Sequence, residues 1–219
     1  MYKAVIFDLD GTLLDTLHDL QNSINFALKK NDFDIFYSYE ETKWLIGKGT
    51  RVLCERALKN TDATQEVIEQ VFKDFSFYYR KNQLVKTKIY PNVLYTLKKL
   101  KEINIKVCVL SNKVEENVLE ILKHFFPDFE FDLVVGQRKN LPLKPDPTSL
   151  KMMLEELNVS NKDVLYVGDS DVDMIVSNLC EVDNVAVTYG YRPIEMLKEY
   201  TPKYVVNDIS EILEIFKNK

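Results

Sequence analysis

The sequence predicts an α/β protein: a doubly wound parallel sheet, Rossmann-like in its core, with an inserted helical subdomain. Three observations support this. Short apolar runs rich in β-branched residues recur along the chain, and they are continuous rather than alternating, so both sheet faces are covered. Amphipathic helical stretches alternate with them, which requires a parallel sheet. One long early stretch carries helical patterns and no strand pattern.

Taken in order, the first strand is Ala4-Val5-Ile6-Phe7, closed by the turn residues Asp8-Leu9-Asp10-Gly11-Thr12. Residues 15–83 then read as helices over 17–29, 39–46, 51–58 and 64–81. About 65–70 residues is far more than a crossover between neighbouring strands needs, so an inserted subdomain is expected. The expected division is an α/β core over 1–14 and 84–219, with a helical insertion over 15–83. The core resumes at Tyr90-Pro91-Asn92, where Pro91 suits a helix start. Strands are expected at 106–110, 133–135, 164–167, 185–187 and 204–206. Helices are expected at 93–103, 115–125, 147–157, 171–179, 193–199 and 209–216.

Composition narrows the chemistry. The 219 residues are 46% hydrophobic and 29% charged, with formal net charge −5. That excludes intrinsic disorder and argues against a nucleic-acid partner, which needs a basic face. No apolar run approaches the roughly 18–20 residues of a membrane span, and the N-terminus meets Asp8 too early for a signal peptide. A cytoplasmic protein without membrane contact, monomer or homodimer, is expected. Cys54, Cys108 and Cys180 are too few and too widely spaced for a disulfide framework or a zinc site, and read as buried structural residues. Only His18 and His124 are present, which excludes a His-rich metal site and leaves carboxylates as the reactive groups. His18 reads as a surface or hinge residue. Glu115-Glu116 and Glu155-Glu156 read as solvated helix faces.

In an open parallel sheet, ligands bind beyond the carboxyl ends of the strands. The residues there are polar. Asp8, Asp10, Gly11 and Thr12 follow the first strand, and Ser111 and Asn112 follow the second. Asp169, Ser170, Asp171 and Asp173 follow the strand at 164–167, and Lys144 lies in a loop before a helix. Each loop alone could consist of turn and cap residues, with Ser170, Asp171 and Asp146 as helix caps. Together they make an anionic pocket that needs a cation, and carboxylates with water suit Mg²⁺. Such a set fits phosphoryl transfer. Asp8 is the candidate nucleophile and Asp10 the general acid and base. Mg²⁺ and Lys144 would neutralise phosphate oxygens. Ser111, Asn112, Thr12 and the backbone about Gly11 would hold the rest.

Asp8-Leu9-Asp10-Gly11-Thr12-Leu13, Leu110-Ser111-Asn112-Lys113, Lys144-Pro145-Asp146-Pro147 and Gly168-Asp169-Ser170-Asp171-Val172-Asp173 resemble the four motifs of the haloacid dehalogenase superfamily. The resemblance implies Asp8 as nucleophile and Asp10 as acid/base. It implies a metal site of the Asp8 carboxylate, the Asp10 main-chain carbonyl and Asp169, with Asp173 acting behind them or through water. It implies phosphate binding by Ser111 and Lys144, and makes the helical insertion the family's cap. Trp44-Leu45-Ile46-Gly47-Lys48-Gly49-Thr50-Arg51-Val52-Leu53, followed by Glu55-Arg56-Ala57-Leu58, looks like the cap segment of phosphoglycolate phosphatases, and Val187-Thr188-Tyr189-Gly190-Tyr191 also resembles that family. The usual small Ala-Gly pair after the fourth motif is replaced by Asn178-Leu179-Cys180-Glu181.

The function expected is a Mg²⁺-dependent phosphatase of small phosphorylated metabolites, with Gly47, Lys48 and Arg51 of the cap choosing the substrate. A sugar-phosphate mutase or a pyrophosphatase on the same scaffold is the alternative. A phospho-aspartate receiver module is the alternative of another class. Against the last stand Asp10, which supplies a base for hydrolysis, and the large insertion.

Overall fold

The computed structural model describes residues 2–217. The chain forms two compact units: an α/β unit, made of the chain up to Asp15 and from Ile89 onward, and a helical unit over Thr16–Lys88.

In the α/β unit the strands are β1 (Ala4–Phe7), β4 (Lys106–Val114), β5 (Leu133–Gln137), β6 (Val164–Gly168), β7 (Asp183–Val187) and β8 (Tyr204–Val206). They lie in the order β5-β4-β1-β6-β7-β8, and every recorded pairing is parallel. β1 is central and buried along its whole length. Phe7 is level with Val109 on one side and Val167 on the other. The residues that follow these three strands therefore emerge together at one edge. β4 runs on through Ser111 and Asn112 with a register shift after Leu110.

Helices α5 (Val93–Glu102), α6 (Glu115–Phe125), α7 (Thr148–Leu157), α8 (Asp171–Leu179), α9 (Ile194–Lys198) and α10 (Ile212–Lys217) belong to this unit. α7 shows how the faces are covered. Leu150, Met153 and Leu157 share one helical face and pack with Ala4, Ile6, Cys108, Leu110, Val164 and Tyr166 of the sheet. Burying each such aliphatic side chain contributes about 1.5–3 kcal/mol. Cys54, Cys108 and Cys180 are free and buried, and burial pushes the Cys54 and Cys108 thiols up to about 12.

Three local expectations are corrected. Pro91 does not start a helix: Asn92 intervenes in the left-handed region (φ 60°) and α5 begins at Val93. Glu115 is half-buried and not merely a solvated helix face, because its carboxylate accepts hydrogen bonds from Gly136 N and Arg138 Nε at the end of β5. The stretch expected as one helix over 209–216 is a 3₁₀ turn, Ile209–Glu211, followed by α10.

The helical unit contains α1 (Leu17–Lys30), α2 (Tyr39–Leu45), α3 (Thr50–Ala57) and α4 (Gln65–Asn82). Leu17, Leu20, Ile24, Ala27 and Leu28 of α1, and Ile68, Val71, Phe75 and Tyr79 of α4, make its apolar interior. Ser38 and Glu41 form a capping box on α2, and Thr64 caps α4. Arg56 donates to the carbonyls of Trp44, Leu45 and Ile46 at the end of α2. His18 is exposed and its ring lies 4.5 Å from that of Tyr39. Among the described residues, no helix is long and apolar enough to cross a membrane.

The chain leaves and re-enters the α/β unit through β2 (Leu14–Asp15) and β3 (Lys88–Ile89), which pair as a two-stranded ribbon that alternation of apolar residues does not announce. On the helical side a single carboxylate fastens the returning segment. Buried Asp19 accepts hydrogen bonds from Lys86 N, Thr87 N and Thr87 Oγ1 at 2.8–3.0 Å. Asp19→Ala leaves those donors without a partner. We expect a loss of about 2–4 kcal/mol in urea denaturation, with faster amide exchange at Lys86 and Thr87.

Candidate active site

The site is built at the carboxyl edge of β4, β1 and β6. β1 and β6 are neighbours there and feed connections to opposite sides, which opens a crevice. Asp8 leaves β1 with its backbone N–H still donating to Val167 O. Its Oδ1 accepts from Leu9 N at 2.7 Å and lies 3.0 Å from Lys144 Nζ. Among the described residues, Asp8 Oδ2 accepts no hydrogen bond.

Lys144 is buried. Its ammonium donates to Leu110 O (2.9 Å), Tyr166 Oη (3.0 Å) and Asp173 Oδ1 (2.7 Å). Its main chain is held by Asn112, whose amide donates to Lys144 O at 2.8 Å and accepts from Lys144 N at 2.7 Å. Burial opposes the charged form of Lys144, but the carboxylates of Asp173 and Asp8 outweigh it and hold the group well above the ordinary lysine range.

Asp169 and Asp173 frame the other side. Asp169 Oδ1 accepts from Thr12 Oγ1 at 3.0 Å and its Oδ2 from Tyr191 N at 2.8 Å. The carboxylate sits between two glycines. A Cβ on Gly11 (φ +89°) would stand 2.3 Å from Asp169 Oδ2, and one on Gly190 would stand 2.2 Å from Asp169 Cβ. Asp173 is the third helical residue of α8, and its Oδ2 accepts from Ser170 N and Ser170 Oγ as a capping box. Its Oδ1 accepts from Lys144 and Tyr166. Four donors occupy its lone pairs.

The carboxylates of Asp8, Asp169 and Asp173 each bring an oxygen within 4.8 Å of the others. Desolvation first, then the charge of Asp173, pushes Asp8 well above the carboxylate range and Asp169 up to about 7. Three buried carboxylates thus face the Lys144 ammonium, with the Arg192 guanidinium acting on Asp169 as a smaller influence, an imbalance that a hard divalent cation would offset. Beside them Asp10 Oδ1 is 2.6 Å from Lys113 Nζ, an ion pair in which the lysine is buried.

A family model described as haloacid dehalogenase-like hydrolase matches residues 5–187. The chain belongs to the haloacid dehalogenase-like hydrolases. It is 35% identical to a phosphoglycolate phosphatase of Haemophilus influenzae over 98% of both chains. It is 33% identical to one of Aquifex aeolicus over 99% of this chain and 97% of that one. A crystal structure described as a predicted phosphoglycolate phosphatase from Haemophilus somnus superposes with TM-score 0.91 and 32% identity, covering 98% of each chain. The α/β unit with its sheet and flanking helices is accordingly the Rossmann-like hydrolase core of this family, and the chain is a phosphoglycolate phosphatase-like hydrolase.

Asp8, Asp10, Gly11, Thr12, Ser111, Asn112, Lys144, Asp169 and Asp173 all lie at this one edge. Two of them are engaged differently from the expectation that they hold phosphate. Asn112 uses its amide on the Lys144 main chain, and Thr12 uses its hydroxyl on Asp169. Both steady other site residues. Ser111 Oγ accepts from Lys113 N at 3.2 Å. Gly47, Lys48 and Arg51 are in the helical unit. Gly47 and Gly49 take positive φ (112° and 83°), Lys48 is exposed, and Arg51 pairs with Glu69 and Glu55.

Sequence reading passed over Lys113, Tyr166 and Gly190 as parts of the hydrolase site. Lys113 carried a signal, a charge directly after the strand-end Ser-Asn. Tyr166 carried a fainter one, a hydroxyl inside an apolar strand. Gly190 stood within the quoted Tyr189-Gly190-Tyr191, yet its closeness to Asp169 depends on a long-range approach of two loops. Gly190→Ala forces Asp169 or its own loop to move. We expect a stability loss of about 1–3 kcal/mol in denaturation, and hydrolase turnover reduced by roughly 10- to 100-fold in steady-state assays.

Proposed function

We propose that this hydrolase is a Mg²⁺-dependent phosphatase of small phosphate monoesters, with 2-phosphoglycolate as its substrate and an aspartyl-phosphate on Asp8 as its intermediate. The observation that carries the reading is the state of Asp8. It is a buried strand-end carboxylate with one oxygen held by Leu9 N and Lys144 and the other open. The names of the relatives support the substrate.

The donor set fits Mg²⁺, since it is all hard oxygen, buried, and short of positive charge. Asp8 and Asp169, with the main-chain carbonyl of Asp10, would hold it. Asp173, whose oxygens are already taken by four donors, would act behind them by positioning Lys144. A bound Mg²⁺ would neutralise phosphate oxygens and keep Asp8 ionised.

The chain's own residues account for the transfer. Asp8 Oδ2 attacks phosphorus while the bond from phosphorus to the ester oxygen breaks. Asp10 gives its proton to that oxygen as it leaves. Lys144, with Ser111 and backbone N–H groups near Gly11, binds the phosphoryl oxygens. Asp10 then takes a proton from water, the water oxygen bonds to phosphorus, and the Asp8–phosphorus bond breaks. Lys113 holds the Asp10 carboxylate in place between the two steps. The helical unit supplies the recognition of the substrate's non-reacting end. Exposed Lys48, in the Gly47–Gly49 loop, would meet the carboxylate of phosphoglycolate. Arg51 could join it by releasing its exposed ion pairs with Glu55 and Glu69, which contribute little to stability.

Purified protein assayed with phosphoglycolate, pyrophosphate, hexose phosphates and p-nitrophenyl phosphate tests the reading. Phosphoglycolate should be the best substrate, EDTA should abolish turnover and Mg²⁺ restore it. A preference for pyrophosphate, mutase activity on a hexose phosphate, or full activity in excess chelator would overturn it. Asp8→Asn keeps the shape and removes the nucleophile. Turnover should fall by at least about 10³-fold with the fold intact, and near-wild-type rates would rule out the covalent route.

For the helical unit, Lys48→Ala should lower kcat/KM for phosphoglycolate by roughly 10- to 150-fold. It should change p-nitrophenyl phosphate little, because that substrate lacks the second anion. Equal losses on both would give Lys48 a general role in closure instead of recognition.

A further inference from the structure

Tyr166 lies in the middle of β6 and is fully buried, in a cluster with Ile6, Cys108, Leu110, Leu150 and Met153. Phenylalanine would fill that apolar space equally well. The hydroxyl therefore needs its own reason, because burying one without a partner is costly. It has two partners: it accepts from Lys144 Nζ and donates to Asp173 Oδ1, both at 3.0 Å. The Tyr166 ring lies under the same ammonium, 5.7 Å from Nζ to the centroid.

An ammonium has three protons. Four oxygens surround that of Lys144: Leu110 O at 2.9 Å, Tyr166 Oη at 3.0 Å, Asp173 Oδ1 at 2.7 Å and Asp8 Oδ1 at 3.0 Å. The first three receive its hydrogen bonds, and Asp8 is left at ion-pair distance. A neutral phenol is a weaker acceptor than a carboxylate or a phosphate oxygen. It is thus the acceptor that an arriving phosphate displaces most readily.

We propose that Tyr166 is a positioning residue, whose hydroxyl occupies one proton of Lys144 until a phosphoryl oxygen takes it, and so keeps that proton from turning to Asp8 Oδ1, which already lies 3.0 Å from the ammonium. Without the hydroxyl, Asp8 Oδ1 is the remaining acceptor for that proton among the described residues. Substrate would then have to draw that proton from a carboxylate where it now draws it from a phenol, so the cost falls on phosphate binding.

This inference rests on the phosphatase reading and is tested apart from it. Tyr166→Phe is assayed with p-nitrophenyl phosphate, and inorganic phosphate binding in Mg²⁺ is measured by calorimetry, in the native background and in Lys144→Met. We expect KM and the phosphate dissociation constant to rise roughly tenfold, as for one charge-assisted contact. We expect kcat to stay within about threefold. Thermal denaturation should be little changed, and Tyr166→Phe should have no further effect once Lys144 is Met. Unchanged KM and phosphate affinity would overturn the proposal. So would an equal loss in both backgrounds, which would mean that Tyr166 acts through packing alone. If the native protein hydrolyses no phosphate monoester, it is the phosphatase reading that fails, and the phosphate affinities of the four proteins still decide the role of Tyr166.

Discussion

The buried ammonium of Lys144 is the constraint on which the site depends. A cation taken out of water is tolerable only if carboxylates and further acceptors surround it. Here Asp173, Tyr166 and the Leu110 carbonyl do so. Each brings a different element. Asp173 belongs to the first turn of α8 and is fixed in turn by Ser170. Tyr166 belongs to the interior of β6, and Leu110 to β4. Asn112, just beyond Leu110, pins the main chain of Lys144 from both sides of its own amide. One side chain thus ties two strands, one helix start and one loop into a single arrangement. Asp8 is the carboxylate this arrangement is built beside.

The remaining charge imbalance explains the second half of the site. Asp8, Asp169 and Asp173 converge within a few ångströms. Burial and mutual repulsion push Asp8 and Asp169 upward in pKa. Protonation of a carboxylate would relieve this, and a divalent cation would relieve it while leaving Asp8 ionised. The two glycines flanking Asp169 serve the same end by letting backbone from β1 and from the loop after β7 close on one carboxylate. Such approaches leave no room for a Cβ, which is why Gly11 and Gly190 stand where they do.

The helical unit follows another logic. Its apolar interior is formed by α1 and α4, and its polar devices fasten ends: Ser38 and Thr64 cap helices, Arg56 takes three carbonyls, and Asp19 binds the returning chain. Asp19 binds the returning segment to α1 within the helical unit.

Much of this was legible in the sequence because local pattern dictates it. Continuous apolar runs made the strands, 3.6-residue periodicity made the helices, and α6 and α8 fall where the periodicity ends. Asp8, Ser111 and Asp169 share an edge because Phe7, Val109 and Val167 are level in parallel strands, so the residues just beyond them emerge on the same side. Other features were decided only in three dimensions. The division of labour among polar residues was one: Asn112 and Thr12 hold neighbours, Lys113 pairs with Asp10, and Glu115 binds the end of β5. Hydrogen-bond partners that lie 20 to 160 positions apart leave no periodic trace. The role of Tyr166 was another, since nothing in a Val-Leu-Tyr-Val strand says which face meets Lys144. Sequence by itself determined the elements and the chemical types at their ends, because those follow from local sterics and burial. Tertiary structure decided which donor meets which acceptor, because that depends on how strands, loops and helix starts distant in the chain are packed around one buried charge.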